Sequence, residues 1–207
     1  MLPLGTRVVS SQDPQALAQA EQLLRAGGLA AFPTDTVYGL GAMLFDAQAI
    51  EQLYLVKGRD AAKAIAVLVG DEVALALVAG EISGVAARLA QRFWPGPLTL
   101  VVPAHPALPG NLSPLPTVGV RMPDHPVALA LLHRAGPLAV TSANLSGQPS
   151  AANAAEVYAQ LNGRIPFILD GGQTPGGQPS TVVDCTGRDL VILRQGPISM
   201  RQLMGAV

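Results

Sequence analysis

Strand-length apolar runs and helix-length amphipathic segments take turns along the first two thirds of this chain. Leu29 to Phe32 is a short apolar run stopped by Pro33, and Ile65 to Val69, Leu98 to Val102, Val118 to Met122 and Leu138 to Thr141 repeat the pattern. Runs this short, bounded by turn residues, read as buried strands. Between them stand helical signals. Asp13 and Pro14 read as N-cap and first residue of a helix that Gly27-Gly28 ends, with Leu17, Ala20, Leu23 and Leu24 as its apolar stripe. Asp46 caps a second helix with Ile50, Leu53 and Tyr54 inward, and further helices read at 72–79, 84–93, 127–133 and 154–161. The last third changes character: Phe167 to Leu169, Thr181 to Val183 and Leu190 to Leu193 are strands with little helix between them. This order predicts an α/β fold, a twisted mixed sheet of about seven strands with helices on both faces.

Composition narrows the class. The 207 residues suit one domain over 1–207. Charged residues are only 13% of the chain, against roughly 25% in an average globular protein. With 13 Lys+Arg against 14 Asp+Glu, a disordered tail, a coiled coil and a polybasic nucleic-acid binder held by charge alone are excluded. The single cysteine, Cys185, excludes a disulfide scaffold and a multi-thiol metal centre and reads as an inert core thiol. His105, His125 and His133 show no metal-ligand spacing. The apolar runs are shorter than the ~18 residues of a membrane span. The N-terminal M-L-P-L-G-T-R lacks a charged region followed by an apolar one. A cytoplasmic protein without membrane attachment is expected.

In so apolar a chain the polar clusters carry information. The only two lysines, Lys57 and Lys63, flank Arg59 in K-G-R-D-A-A-K. They could offset a helix dipole, or, with Gly58 admitting a close backbone approach, Lys57 and Arg59 could converge on a phosphate. F-P-T-D-T-V-Y-G-L-G at 32–41 follows a strand directly, at the carboxyl edge where open α/β sheets bind ligands; the alternative is a capped turn. T-S-A-N-L-S-G-Q-P-S at 141–150 has the same setting, and suits either an anion-binding loop or a Ser/Asn-rich turn. Arg121 and Arg194 lie in strand-like runs, where a buried guanidinium needs an anion from the protein or from a ligand. No Walker-type phosphate loop is present, and Gly39 and Gly41 lack the third glycine of G-x-G-x-x-G. The run G-G-Q-T-P-G-G-Q-P-S reads as a flexible lid or a long turn, and Trp94 as a core anchor.

Seven segments together resemble the threonylcarbamoyl-AMP synthase family, the YrdC-type domain. They are P-T-D-T-V-Y-G-L-G at 33–41, K-G-R at 57–59, F-W-P-G-P-L-T-L at 93–100, V-G-V-R-M-P at 118–123, T-S-A-N-L-S-G at 141–147, S-T-V-V-D at 180–184 and L-R-Q-G at 193–196. They keep the family's order and spacing over almost the whole chain, and the length fits the short form. Asp60 and Ala64 stand where the family usually has prolines, which should loosen the loop around Arg59 and Lys63.

The resemblance implies a YrdC-like mixed sheet with a large concave, positively charged cavity. It implies synthesis of threonylcarbamoyl-AMP from L-threonine, carbon dioxide or bicarbonate, and ATP carried with Mg²⁺, with pyrophosphate released. No tightly bound organic cofactor and no protein-held metal are implied. The product would pass to a tRNA threonylcarbamoyl transferase for modification of adenosine 37, and weak direct tRNA binding is left open. The family's K-x-R…S-x-N signature falls on Lys57, Arg59, Ser142 and Asn144. Its ATP contacts fall on Lys57, Arg59, Thr117, Ser142, Ser150 and Arg194, and its threonine contacts on Thr34, Arg121, Thr141 and Ser180. Two alternatives stand beside this. One is a non-catalytic RNA-binding module, for which the 4% aromatic content offers few stacking platforms. The other is the carbamoyl-transfer domain of hydrogenase maturation proteins, which normally accompanies an acylphosphatase-like part and zinc-finger cysteines.

Overall fold

The computed structural model describes residues 5–175 and 177–207. The first four residues of M-L-P-L-G-T-R and Gly176 of the glycine-rich run lie outside them. The elements in chain order are β1 (Arg7–Ser10), α1 (Ala16–Arg25), β2 (Ala30–Phe32), β3 (Gly39–Met43), α2 (Ala47–Lys57), β4 (Ala66–Leu68), α3 (Glu72–Leu75) and α4 (Gly84–Phe93). They continue with β5 (Leu98–Pro103), β6 (Thr117–Arg121), α5 (Pro126–Ala135), β7 (Leu138–Ser142), α6 (Ala154–Leu161), β8 (Phe167–Asp170), β9 (Thr181–Asp184), β10 (Val191–Arg194) and α7 (Met200–Met204).

The strands form one mixed sheet in the order β1-β8-β2-β3-β7-β4-β6-β5-β9-β10. The expectation of about seven strands is corrected to ten among the described residues. β1 is an exposed four-residue edge strand without an apolar run, and β3 is G-L-G-A-M, whose first three residues fall in the segment read as a ligand-binding edge or a capped turn. The glycines of β3 are there for close approach. A Cβ on Gly39 would stand 2.9 Å from Val140 Cγ1, and one on Gly41 2.9 Å from Phe32 Cε1. These glycines remove the β-branched signature that marks a strand.

The first helix starts two residues later than expected. Asp13 Oδ1 accepts the Gln15 N–H at 2.8 Å, and the helix proper opens at Ala16. Asp46 caps α2 as expected, accepting from the N–H groups of Gln48 and Ala49 at 3.0 Å.

Helices cover both faces, unequally. One core joins Leu40, Val67, Leu98, Leu100, Val118, Val120, Ala139 and Val183 to α2, α4 and α6. The opposite face carries Phe32, Leu68, Leu138, Val140 and Leu169 under α1 and α5. Because side chains alternate along a strand, the partners of the first set on β5, β6 and β9 (Thr99, Val101, Thr117, Gly119, Arg121, Val182) also point to that second face. α1 and α5 cover only the half near β2 and β7. The remaining half is left as a hollow.

Candidate active site

This hollow has a volume of about 310 Å³. Its floor is built of small side chains from the middle strands, Gly39, Ala66, Thr99 and Gly119. Eight of the eleven residues singled out from the sequence line it: Thr34, Arg59, Thr117, Arg121, Thr141, Ser142, Ser180 and Arg194. They come from six separate stretches of chain, which explains why no single motif displays the site.

Arg121 closes one end of the floor, and its guanidinium is held on three sides. Nε donates to the Gly96 carbonyl at 2.9 Å, one terminal nitrogen donates to Thr36 Oγ1 at 2.9 Å, and the other pairs with Asp35 Oδ1. Its side chain is only 6% exposed, so burial pushes its pKa down and Asp35 opposes that push. The segment F-W-P-G-P-L-T-L thereby gains a purpose: Trp94 Nε1 donates to Leu98 O at 2.7 Å and fixes the turn that presents Gly96 O. Thr34 is spoken for as well. Its hydroxyl proton goes to Val37 O at 2.7 Å, and its oxygen accepts the Thr36 N–H at 3.2 Å. The Thr34–Thr36 hydroxyl contact of 3.0 Å is therefore donated by Thr36, which in turn accepts from Arg121. Thr34 orders the arginine's surroundings before it can offer anything to a ligand.

Across the hollow the cations lack such compensation. Arg194 donates to Ser180 O at 3.1 and 2.9 Å and to Ser180 Oγ at 3.0 Å, and Ser180 Oγ meets Thr99 Oγ1 at 2.8 Å. Arg59 donates to the carbonyls of Lys63 and Ala64 at 3.3 and 2.9 Å. Neither forms an ion pair among the described residues, though Asp60 acts on Arg59 at longer range. Burial lowers both pKa values, and Arg59 lowers that of Arg194 further, so the two guanidinium groups repel across the opening. Uncompensated like charges facing a cavity make an anion site.

Lys57, Asn144 and Ser150 do not line the hollow. Lys57 is 2% exposed, and its Nζ donates to the main-chain carbonyls of Ser142 and Asn144. It therefore does not converge with Arg59 on one phosphate; it sits beneath the 142–150 loop. The Asn144 amide nitrogen donates to the carbonyls of Leu145 and Gln148 at 2.8 Å, closing the loop on itself. Ser150 lies half-buried at its end. Of the polar cluster Thr34, Asp35, Thr36 and Tyr38, sequence reasoning gave a role to Thr34 alone, and it gave none to Thr99; Asp35, Thr36 and Thr99 all join the arrangement. The T-D-T spacing was the available signal for the first two.

A family model with the description "Telomere recombination", for Sua5/YciO/YrdC, matches residues 22–196. The threonylcarbamoyl-AMP synthase of Bacillus subtilis is 45% identical, over 98% of this chain and 59% of its own length. The putative threonylcarbamoyl-AMP synthase of Mycobacterium tuberculosis is 39% identical, over 93% of this chain and 89% of its own. The solved structure of P. abyssi Sua5 complexed with L-threonine is similar at a TM-score of 0.92 and 39% identity, covering 97% of this chain and 60% of that one. The chain thus spans about three fifths of the B. subtilis and P. abyssi proteins. Among the described residues no helix is long and apolar enough to cross a membrane. The chain belongs to the Sua5/YciO/YrdC family.

Proposed function

We propose that residues 1–207 act as a single-domain, cytoplasmic L-threonylcarbamoyladenylate synthase, a nucleotidyltransferase. It joins L-threonine, carbon dioxide or bicarbonate, and ATP with its Mg²⁺, and releases pyrophosphate. The observation that carries this reading is the division of one hollow into a compensated arginine, Arg121, and two uncompensated ones, Arg59 and Arg194. An amino acid needs one directional carboxylate anchor, whereas a triphosphate needs several bare cations. The relatives named as synthases, and the related structure complexed with L-threonine, support the same substrates.

Arg121 takes the threonine carboxylate through its remaining N–H groups, with Thr141 and Ser180 reading neighbouring polar groups and Thr34 ordering the arginine. Arg59, Arg194, Thr117 and Ser142 take the ATP phosphates. Lys57 and Asn144 hold the loop that presents Ser142, and Ser150, at the end of that loop, is the further ATP contact. The neutral threonine amine attacks carbon dioxide, a proton leaves, and a carbamate forms. A carbamate oxygen then attacks the α-phosphorus in line while pyrophosphate departs. Positioning and electrostatics carry the rate, and the sheltered floor protects the unstable carbamate from water. The product serves a tRNA threonylcarbamoyl transferase acting at adenosine 37. An RNA-binding module would instead spread its cations over an open surface.

The test is mass spectrometry of the full chain with ATP, Mg²⁺, bicarbonate and L-threonine, with L-serine as the comparison. Threonylcarbamoyl-AMP and pyrophosphate should accumulate together. Tight, salt-sensitive tRNA binding with no adenylate formed would favour the RNA-binding module.

A further inference from the structure

Arg121 and the pair Arg59 and Arg194 share one hollow but meet it in different electrostatic states. Arg121 arrives with its own carboxylate. Asp35 Oδ1 accepts from the guanidinium and from the Asp124 N–H at 3.0 Å, and the Asp35 side chain is 11% exposed. Asp35 Oδ2 is buried without a hydrogen-bond partner. Asp35 does not line the hollow; it stands behind the arginine. The Arg121 fork therefore presents N–H groups to the cavity from a pair that is already neutral. Arg59 and Arg194 are held only by neutral carbonyls and a serine hydroxyl, and present net positive charge.

A neutral pair and a bare guanidinium differ in what they select. Both can donate two hydrogen bonds to a carboxylate. Only the bare one adds the Coulomb attraction that favours a doubly charged phosphate over a zwitterion with no net charge. Two adjoining anion subsites in one cavity need such a difference, or phosphate occupies both.

We propose that Asp35 is a specificity-determining positioning residue, whose buried charge cancels that of Arg121 and so reserves this end of the hollow for the carboxylate of a zwitterionic amino acid while excluding phosphate. This rests on Arg121 being the carboxylate anchor of the reaction proposed above. Thr36 shares the aiming of the guanidinium but not the charge compensation, which separates the two effects experimentally.

The experiment measures equilibrium binding of radiolabelled L-threonine to the full chain, without ATP, titrated with inorganic phosphate at constant ionic strength. Wild-type protein should keep its threonine. In Asp35→Asn, phosphate should displace threonine at a concentration lower by about tenfold or more. Thr36→Val should bind threonine more weakly yet still resist phosphate, and Asp35→Glu, which keeps the charge, should resist it like the wild type. If wild type binds no threonine, or Arg121→Gln binds it equally well, Arg121 is not the anchor and the underlying assignment falls. If those two arms behave but Asp35→Asn resists phosphate as the wild type does, only the role of Asp35 falls. That role falls equally if Thr36→Val admits phosphate as readily as Asp35→Asn. Should Asp35→Asn give no cooperative melt, the Glu variant decides: exclusion of phosphate supports the role, and its entry overturns it.

Discussion

Lys57 reaches from the end of α2 to the main-chain carbonyl of Ser142 at the end of β7, and takes the Asn144 carbonyl as well. The Lys57 carbonyl returns the contact by accepting the Ser146 N–H at 2.9 Å. The two halves of the K-x-R…S-x-N signature are thus one mechanical unit. Gly58, at φ 58°, ends α2 in the left-handed region and reverses the chain. Lys57 then goes back beneath the loop while Arg59, two residues on, goes forward into the hollow.

Removing the staple should harm the reaction without unfolding the chain. Lys57→Met keeps the buried stem and loses the charged donor. It should lower kcat/KM by at least about tenfold, equivalent to 1.4 kcal/mol of transition-state stabilisation. Amides 142–147 should exchange hydrogen faster while the helical circular dichroism is kept. Unchanged exchange in that loop would show that Lys57 is not what holds it.

The same residue makes stability depend on pH. Burial, helped by the Arg59 charge, pulls the Lys57 pKa from 10.5 down to about 8. Below pH 8 the amine is charged in both the folded and the unfolded chain, and folding bears the full cost of burying it. Between 8 and 10.5 the unfolded chain binds more protons, so stability rises with pH across that window. At 1.36 kcal/mol per unit the gain is at most roughly 3 kcal/mol. Urea unfolding of wild type and Lys57→Met at several pH values should give curves that separate over this window. Parallel curves would place the titration elsewhere.

The uncompensated pair predicts a split between substrates. Arg59→Gln and Arg194→Gln should each raise KM for ATP by about tenfold or more and change KM for L-threonine far less. The double variant should fall short of the product of the singles, because each guanidinium currently repels the other. Initial rates with one substrate varied at a time decide this. An equal rise in both KM values would merge the two subsites.

The runs that bury a face on both sides of the sheet were legible in the sequence. β2, β4, β5, β6, β7 and β8 all lie within a residue or two of where their apolar runs place them, because burial alone dictates their composition. β3 was hidden because its glycines serve contacts with Phe32 and Val140, which only the folded sheet brings together. Gly196 of L-R-Q-G is similar: a Cβ there would stand 2.3 Å from the Thr181 nitrogen, a constraint set by a strand fifteen residues earlier. Thr34, Arg59, Arg121, Thr141, Ser142 and Arg194 were legible as polar positions in apolar surroundings, whereas Thr117 and Ser180 came only from the family resemblance. Their division of labour was not legible, since the Asp35–Arg121 pair spans 86 residues and the Lys57–Ser142 contact 85. Spacing along the chain says which side chains are costly to bury, but not which partner relieves the cost.

Gly119 gives the sharpest separation of fold from function. It lies in the middle of β6 and forms part of the floor, and a Cβ there would stand 3.2 Å from Thr99 Cγ2 and 3.8 Å from Ala66 Cβ. That demands only a small shift of one methyl group. Valine is a good strand former, so Gly119→Val should change stability by no more than about 1 kcal/mol. Its two methyl groups would nonetheless rise from the floor into the volume between Arg121 and Arg194. Binding of L-threonine and ATP should both weaken, and kcat/KM for each should fall by at least about tenfold. A melting temperature near that of wild type beside this loss would mean that the bare half of the sheet is the reaction site. Full activity in Gly119→Val would mean that the substrates lie elsewhere.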